Sequence, residues 1–190
     1  MSKNIFFISD NHFGHANIIT FIDKNGNVFR NFSSEEEMNE HMVEKWNSVV
    51  RPIDKVYHLG DFAIPRRGIK FAERLNGDKV LIKGNHDIYK IHDYIPYFRD
   101  IRAYHVIDGM ILSHVPVHHS SMRRFGSNIH GHVHEKFVYD DSGNIDNRYF
   151  PVTCEHLSYT PIEFGELKRR IIAQGGKVGF ATDKGDKEPT

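Results

Sequence analysis

Short apolar runs that end abruptly in polar side chains recur five times along this chain. In the clearest of them, the apolar run of residues 80–82 leads to Gly84, which is followed at once by an amide, an imidazole and a carboxylate. Such a run is typical of a buried strand, and glycine lets the backbone turn sharply and approach a ligand. Because ligands bind outside the carboxyl ends of strands in open α/β sheets, the pattern predicts an α/β fold with its chemistry at these strand ends.

The other four runs also lead into side chains that bind metals or transfer protons. The run at residues 80–82 contributes Asn85 and His86. A lone histidine at a strand end more often forms an ordinary hydrogen bond than binds a metal. Residues i and i+2 of an extended segment point the same way, however, so an i, i+2 pair can face one ion. Five strand ends of this kind are hard to explain by packing alone and predict a metal site. The other four contribute, in chain order, Asp10 and His12, then Asp61, then His114, then His132 and His134.

The residue types available narrow the choice of metal. The chain has 14 histidines but a single cysteine, Cys154. One cysteine forms neither an internal disulfide nor a thiolate cluster, which favours a reducing compartment. A metal site must therefore use imidazoles, carboxylates and amides, a ligand set that suits Mn, Fe, Zn or Ni.

Length and charge argue against several classes of protein. The 190 residues suffice for one domain with a substantial core. The 25 Lys and Arg balance 25 Asp and Glu, which argues against a large electrostatic footprint for duplex nucleic acid. The apolar run at residues 5–8 is too short for a signal peptide, and no stretch reaches membrane-spanning length. We therefore expect a cytoplasmic protein without a membrane partner, and the oligomeric state stays open.

Hydrophobic spacing and capping residues predict three main helices, besides short ones at residues 17–22 and 88–94. The first begins near Ser33, which has capping-box spacing to Glu36, and ends at about residue 50. The other two are expected over residues 65–75 and 162–173.

Turn residues and composition set the remaining boundaries. The Asp-Lys-Asn-Gly-Asn sequence at residues 23–27 predicts a turn, and Asp108-Gly109 predicts a hairpin. From residue 175 the chain is rich in Gly, Lys and Asp and has little to bury. We therefore expect a single domain over residues 1–174 and a disordered tail over residues 175–190.

Taken in order, the motifs resemble those of the calcineurin-like metallophosphoesterase superfamily, and above all its compact bacterial and phage phosphoesterases. The resemblance runs from residue 10 to residue 134. It implies a two-sheet β-sandwich flanked by helices, an α/β/β/α arrangement, with two divalent metal ions. The matching motifs are Asp10-x-His12, Gly60-Asp61, Gly84-Asn85-His86-Asp87, His114 and Gly131-His132-x-His134.

The resemblance also assigns the ligands. It implies that Asp61 bridges the two metals, because a carboxylate has two oxygens and a full negative charge. Manganese is the expected metal, and Fe, Zn and Ni stay open. His86 is expected to protonate the leaving oxygen or to stabilise the transition state; the alternative is a structural role behind the ligands. By the same resemblance, one metal is bound by Asp10, His12, Asp61 and His134, and the other by Asp61, Asn85, His114 and His132.

Several neighbouring residues have two possible roles. Asp87 either orients a nearby imidazole or caps the following helix, and we favour the cap. His15 either faces the phosphate or donates to a loop carbonyl. The segment 118–124 is expected to rim the pocket. Four arginines are candidates to bind phosphate through a bidentate guanidinium, with solvated loop charge as the alternative: Arg66, Arg67, Arg123 and Arg124.

These features favour a dinuclear metal-dependent phosphoesterase acting on small phosphodiesters or nucleotides. Residues 60–68 lack the second Asp of the related Ser/Thr protein phosphatases, which argues against phosphoprotein substrates. Within enzymes, the alternatives are a phosphomonoesterase and a nuclease for short single strands, although the neutral charge disfavours nucleic acid. A non-catalytic protein-binding scaffold and a purely structural metal site are the alternatives of other classes.

Overall fold

The computed structural model describes residues 2–22 and 26–181 and contains two sheets with helices packed around them. Within these ranges, 3-10 helices occupy Ala16–Thr20, Arg66–Arg74 and His119–Met122, and the α-helices are α1 (Glu35–Val49), α2 (Ile91–Tyr94) and α3 (Phe164–Ala173). The strands are β1 (Ile5–Ile8), β2 (Lys55–His58), β3 (Asp78–Ile82), β4 (Asp100–Arg102), β5 (Tyr104–Ile107), β6 (Met110–Ser113), β7 (Asn128–His130), β8 (Tyr149–Pro151) and β9 (Ile162–Glu163).

The register of the first sheet aligns three of the predicted strand ends. Its order is β4-β3-β2-β1-β9, and all neighbours are parallel except β1 and β9. Ile8 lies opposite His58, which lies opposite Leu81. The loops that follow β1, β2 and β3 therefore leave the same edge of the sheet side by side.

The second sheet brings the other two strand ends to the same place. Its order is β5-β6-β7-β8, with β6, β7 and β8 parallel and Ser113 opposite His130. A bridge between Ser9 and Thr153 joins the two sheets just beyond β1. The predicted α/β fold with two sheets and flanking helices is confirmed, and its sandwich-like arrangement explains how ligands from both sheets converge.

Helix α1 buries in the core the apolar stripe that its spacing predicts. Met38, Met42 and Trp46 recur at four-residue intervals and are fully buried, because such spacing places side chains on one face of a helix. The helix is capped by Ser34, whose hydroxyl accepts from the backbone N–H of Glu37 at 3.1 Å. The N-cap therefore lies one residue after the first residue of the predicted Ser33–Glu36 capping box, and the Glu37 carboxylate accepts from the backbone N–H of Ser33 at 2.7 Å.

Two other predicted helices differ from expectation, one in its type and one in the residue at which it begins. The segment predicted as a helix over residues 65–75 is a 3-10 helix. Helix α3 begins at Phe164 because Ile162 pairs with β1 and the Glu163 carboxylate accepts from the backbone N–H of Gly165 at 2.7 Å. The hairpin at Asp108-Gly109 is confirmed.

Residues 175–181, where we expected disorder, instead pack on the second sheet. Ser127 donates from its hydroxyl to the Lys177 carbonyl at 2.7 Å, and the backbone N–H of Gly126 donates to the Gly179 carbonyl at 2.9 Å. Hydrogen bonds to backbone carbonyls need no apolar side chains, so composition did not reveal them. Residues 182–190 of the expected tail, and residues 23–25 of the predicted turn, lie outside the described residues. Among the residues described, no helix is both long and apolar enough to cross a membrane.

Candidate metal centre

The loops after the parallel strands hold their candidate ligands in an unusual backbone conformation. Few residues other than glycine adopt left-handed φ angles, although Asp and His do so more readily than most. Such clusters are typical of functional sites, where the surrounding structure imposes the conformation. Five of the predicted ligands have it: Asp10 (φ 59°), His12 (53°), Asp61 (54°), His132 (72°) and His134 (53°).

Two glycines let these loops come into contact with the ligands themselves. A Cβ atom added to Gly84 would lie 2.2 Å from Oδ1 of Asp61, and one added to Gly131 would lie 2.5 Å from Oδ2 of Asp10. Real Cβ atoms do not approach other atoms this closely. The two glycines are therefore required because the carboxylates occupy the space that a side chain would fill.

We expect Gly84→Ala to weaken metal binding more than it weakens the fold. The added methyl group must displace the Asp61 carboxylate, so affinity for Mn(II) should fall about 10–100-fold, the range for losing a group that orients a ligand. Overpacking should lower the free energy of unfolding of the metal-free protein by about 1–3 kcal/mol. Calorimetric titration with Mn(II) and urea denaturation measure the two effects.

Gly143→Ala is the matched control for this substitution. A Cβ atom at Gly143 meets nothing within 4 Å, although the residue has a φ of 81°. It should cost about 1–2 kcal/mol of stability from backbone strain and leave Mn(II) affinity unchanged. Equal Mn(II) affinities of Gly84→Ala and the unaltered protein would contradict the assigned role of Gly84.

The carboxylates and imidazoles form two overlapping groups. Ligand atoms of Asp10, His12 and His134 lie within 4.8 Å of one another, and so do those of Asp10, Asp61 and His114. Oδ2 of Asp61 lies 3.8 Å from Nε2 of His12 and 3.3 Å from Nε2 of His114. Both aspartates therefore adjoin both groups, and the bridging role of Asp61 stays a prediction.

Asn85 connects the remaining candidate ligands to these groups. Its side-chain oxygen lies 2.9 Å from Nε2 of His114 and 2.9 Å from Nδ1 of His132. The structure thus brings all seven predicted ligands into one cluster at the shared edge of the two sheets.

The cluster fits divalent cations. His12 is buried, yet neither of its ring nitrogens has a hydrogen-bond partner among the described residues, whereas buried polar atoms are nearly always paired. Burial lowers the pKa of His12 well below its usual value, so the ring is neutral. Burial also raises the pKa of the Asp10 carboxyl to about 6. The neutral imidazole of His12 beside buried carboxylates is a donor set that a divalent cation would satisfy.

A buried ion pair behind the ligands was not predicted from the sequence. The Arg30 guanidinium is fully buried and donates to Oε1 of Glu155 at 2.7 Å and to the carbonyl of Asn11 at 2.8 Å. The same Glu155 oxygen lies 3.3 Å from Nδ1 of His134. The pair therefore fixes the loop that carries Asp10 and orients His134. The one sequence feature that indicated a buried cation was the position of Arg30 between the aromatic residues Phe29 and Phe32.

We expect Glu155→Gln to destabilise the metal-free protein by about 3 kcal/mol, because it leaves the buried Arg30 charge without a charged partner. Urea denaturation measures the loss. Glu40→Gln is the control, since Glu40 and Arg74 form an exposed ion pair at 2.6 Å that should contribute no more than about 1 kcal/mol. Similar losses from the two substitutions would show that the buried pair has no special role.

The prediction that Asp87 caps the following helix is wrong. Its carboxylate accepts hydrogen bonds from the backbone N–H groups of Asp61 at 2.8 Å, Phe62 at 3.1 Å and Gly84 at 2.9 Å. Helix α2 begins after Lys90 instead. The turn at Gly84 carries Asp87 back over the loops, so Asp87 cross-links the second and third ligand loops.

His86 and His15 both line a groove that opens onto the cluster. The backbone N–H of His86 donates to Oδ1 of Asp61 at 2.8 Å. The imidazole of His86 takes no part in this hydrogen bond and is exposed. Its ring centroid lies 5.6 Å from that of His12. Nδ1 of His15 has no hydrogen-bond partner among the described residues, and the two predicted roles of His15 stay open.

The structure does not bring the four candidate arginines to this groove. Arg66 pairs with Asp93, and Arg67 pairs with Glu35 at 2.8 Å. Arg123 lines a separate surface pocket, and the Arg124 carbonyl accepts from the backbone N–H of Ala181. Residues of the segment 118–124 line two such surface pockets instead of the groove. A motif cannot reveal that a basic side chain already has an acidic partner elsewhere in the chain.

The proteins found in comparisons with known sequences and structures match most of this chain. No protein-family model matches it. The solved structure of a protein of unknown function, AQ665 from Aquifex aeolicus, has a TM-score of 0.66 and 24% identity over 89% of this chain and 100% of that one, and so shares its fold. A structure described as a novel archaeal phosphodiesterase has a TM-score of only 0.45 and 18% identity, over 85% of this chain and 98% of that one. Uncharacterized protein MJ1445 of Methanocaldococcus jannaschii is 33% identical over 191 residues, which cover 95% of this chain and 98% of that protein. This chain therefore belongs to the same protein family as MJ1445.

Proposed function

We propose that this chain is a dinuclear metal-dependent phosphoesterase of the calcineurin-like superfamily that hydrolyses small phosphodiesters. The observation that carries the proposal is the convergence of seven candidate ligands at one edge of the two sheets, with the buried His12 ring lacking any hydrogen-bond partner among the described residues. An unpaired, neutral imidazole against two buried carboxylates has no evident structural use without a cation.

The ligand assignment in the proposal follows the motif order. One cation would be held by Asp10, His12, Asp61 and His134, and the other by Asp61, Asn85, His114 and His132, with Mn(II) as the proposed metal. When bound, divalent cations polarise phosphoryl oxygens and lower the pKa of water, so that hydroxide is available near neutral pH.

The surrounding residues would supply the rest of the chemistry. Asn85 contributes a neutral oxygen, which limits the negative charge of the centre so that an anionic phosphate can approach. The imidazole of His86 faces the groove and would donate a proton to the leaving oxygen. Glu155 and Arg30 would hold His134 and the Asp10 loop in position, because both are hydrogen-bonded to these elements.

The proposal is tested by metal binding together with hydrolysis. Purified protein, stripped by chelation, should take up two equivalents of Mn(II) and then hydrolyse bis-p-nitrophenyl phosphate faster than p-nitrophenyl phosphate. Preference for the monoester would make the chain a phosphomonoesterase. Two bound equivalents without turnover of either ester would favour the scaffold, and unfolding on chelation would favour a structural metal site.

A further inference from the structure

The groove over the candidate metal centre is lined by apolar side chains as well as by histidines. It has a volume of about 620 Å³, and His12, His86, His132 and His134 are among the residues that line it. A cavity of this size suits a small molecule. The apolar wall consists of Ile18, Phe21, Ile22, Phe29, Ile64 and Val133.

The wall adjoins the centre directly. The ring of Phe29 meets the His134 imidazole edge-on with centroids 5.2 Å apart, and Phe21 meets His15 in the same way at 5.7 Å. Phe21 is 48% exposed and Ile22 is 65% exposed. Large apolar side chains left open to solvent beside a candidate catalytic centre indicate that a ligand covers them.

The wall is held in place before any ligand binds. The backbone N–H of Phe29 donates to the Phe21 carbonyl at 2.8 Å, and Ile22 pairs with Val28 in an antiparallel bridge. Ile18 anchors the segment in the core, being only 2% exposed. Little ordering is therefore required when a ligand contacts these residues.

The charge of the groove argues against a polyanionic ligand. Among the described residues that line it, Lys136 is the only Lys or Arg, and Glu135 lies beside it in the chain. Proteins that bind nucleic acid strands follow the phosphates with several cations. The groove therefore suits a ligand with one phosphate group and an uncharged remainder.

We infer that this wall binds an apolar ester substituent of the phosphodiester substrate, which rests on the proposed phosphoesterase function. The phosphate lies at the imidazoles, and the substituent lies along Phe21, Ile22 and Phe29. Hydrolysis consumes one water, forms a P–O bond to its oxygen and breaks the P–O bond to the leaving group, which departs with a proton. The substituent on the wall stays attached to phosphorus and contributes binding only.

The test uses p-nitrophenyl diesters that share one leaving group and differ in the second alcohol: methyl, 2-phenylethyl and 2-cyclohexylethyl. Burial of a large apolar group should raise kcat/KM about 10–100-fold over the methyl ester. A larger gain with phenylethyl identifies an aromatic substituent, and a larger gain with cyclohexylethyl an aliphatic one. Equal kcat/KM for all three esters overturns the inference. Failure to hydrolyse any of them, the methyl ester included, overturns the proposed function instead.

Two variants locate the effect on the wall. Phe21→Ala should reduce the ratio of kcat/KM between the favoured large ester and the methyl ester at least about threefold, since it removes much of the contact area. Phe180→Ala is the control, because Phe180 is also an exposed aromatic residue, at 62%, and does not line the groove. A ratio unchanged in Phe21→Ala, or lowered equally in both variants, contradicts the assignment.

Discussion

Asp61→Asn is expected to lower Mn(II) affinity more than about 100-fold, beyond the range for groups that merely orient a ligand. Oδ2 of Asp61 lies within 3.8 Å of Nε2 in both His12 and His114, so the substitution removes charge from the middle of the cluster. Hydrolysis of bis-p-nitrophenyl phosphate should fall by at least the same factor, because fewer molecules carry both metals. Calorimetry and metal analysis after gel filtration measure the binding.

The fold should survive this substitution. Asparagine keeps a side-chain oxygen for the backbone N–H of His86, which donates to Asp61 at 2.8 Å. The loss in stability should therefore stay within about 1.5–3 kcal/mol, the value of hydrogen bonds to a charged group. Asp78→Asn is the control, since Asp78 pairs with Lys3 and Arg99 at the opposite end of β3. Unchanged Mn(II) binding by Asp61→Asn would rule out the proposed centre.

His86→Ala is expected to lower kcat about 10²–10⁴-fold, the usual contribution of a general acid, while two Mn(II) equivalents remain bound. The exposed side chain is removed, but the backbone N–H that holds Asp61 is retained. The defect should be largest for diesters whose leaving alcohol has a high pKa. It should be smaller for p-nitrophenolate, which needs no proton to depart.

This dependence on the leaving group separates proton donation from a structural role. A residue that only supported the loop would lower every rate by the same factor and would alter the bound metal as well. His92→Ala serves as the control, because His92 is an exposed histidine on α2 that lines a different pocket. A uniform loss across leaving groups in His86→Ala would contradict the assignment of His86 as a proton donor.

The ligand cluster could be predicted because its signals are local. Each ligand follows an apolar run within a few residues, as Asp10 follows β1 and Asp61 follows β2. The parallel register of the strands then places their ends side by side. This alignment needs no signal from distant parts of the sequence. The α/β fold and the convergence of the ligands follow from these two facts.

The supporting contacts could not be predicted because they join distant parts of the chain. Arg30 and Glu155 are 125 residues apart, and nothing near either one indicates the other. Asp87 follows the ligand motif directly, yet its partners are backbone N–H groups, which every residue except proline has. The pairing of Arg67 with Glu35, 32 residues away, likewise depends on tertiary structure.

The left-handed backbone of five candidate ligands has an evolutionary consequence. Each such residue costs the folded chain on the order of 1–3 kcal/mol, although less for Asp and His, which tolerate the conformation better. Glycine at any of the five positions would release that strain. Selection for thermal stability alone would therefore replace these residues with glycine first, as the trade-off between stability and activity predicts. The chain has Asp or His at all five positions, as expected of a lineage in which the centre is used.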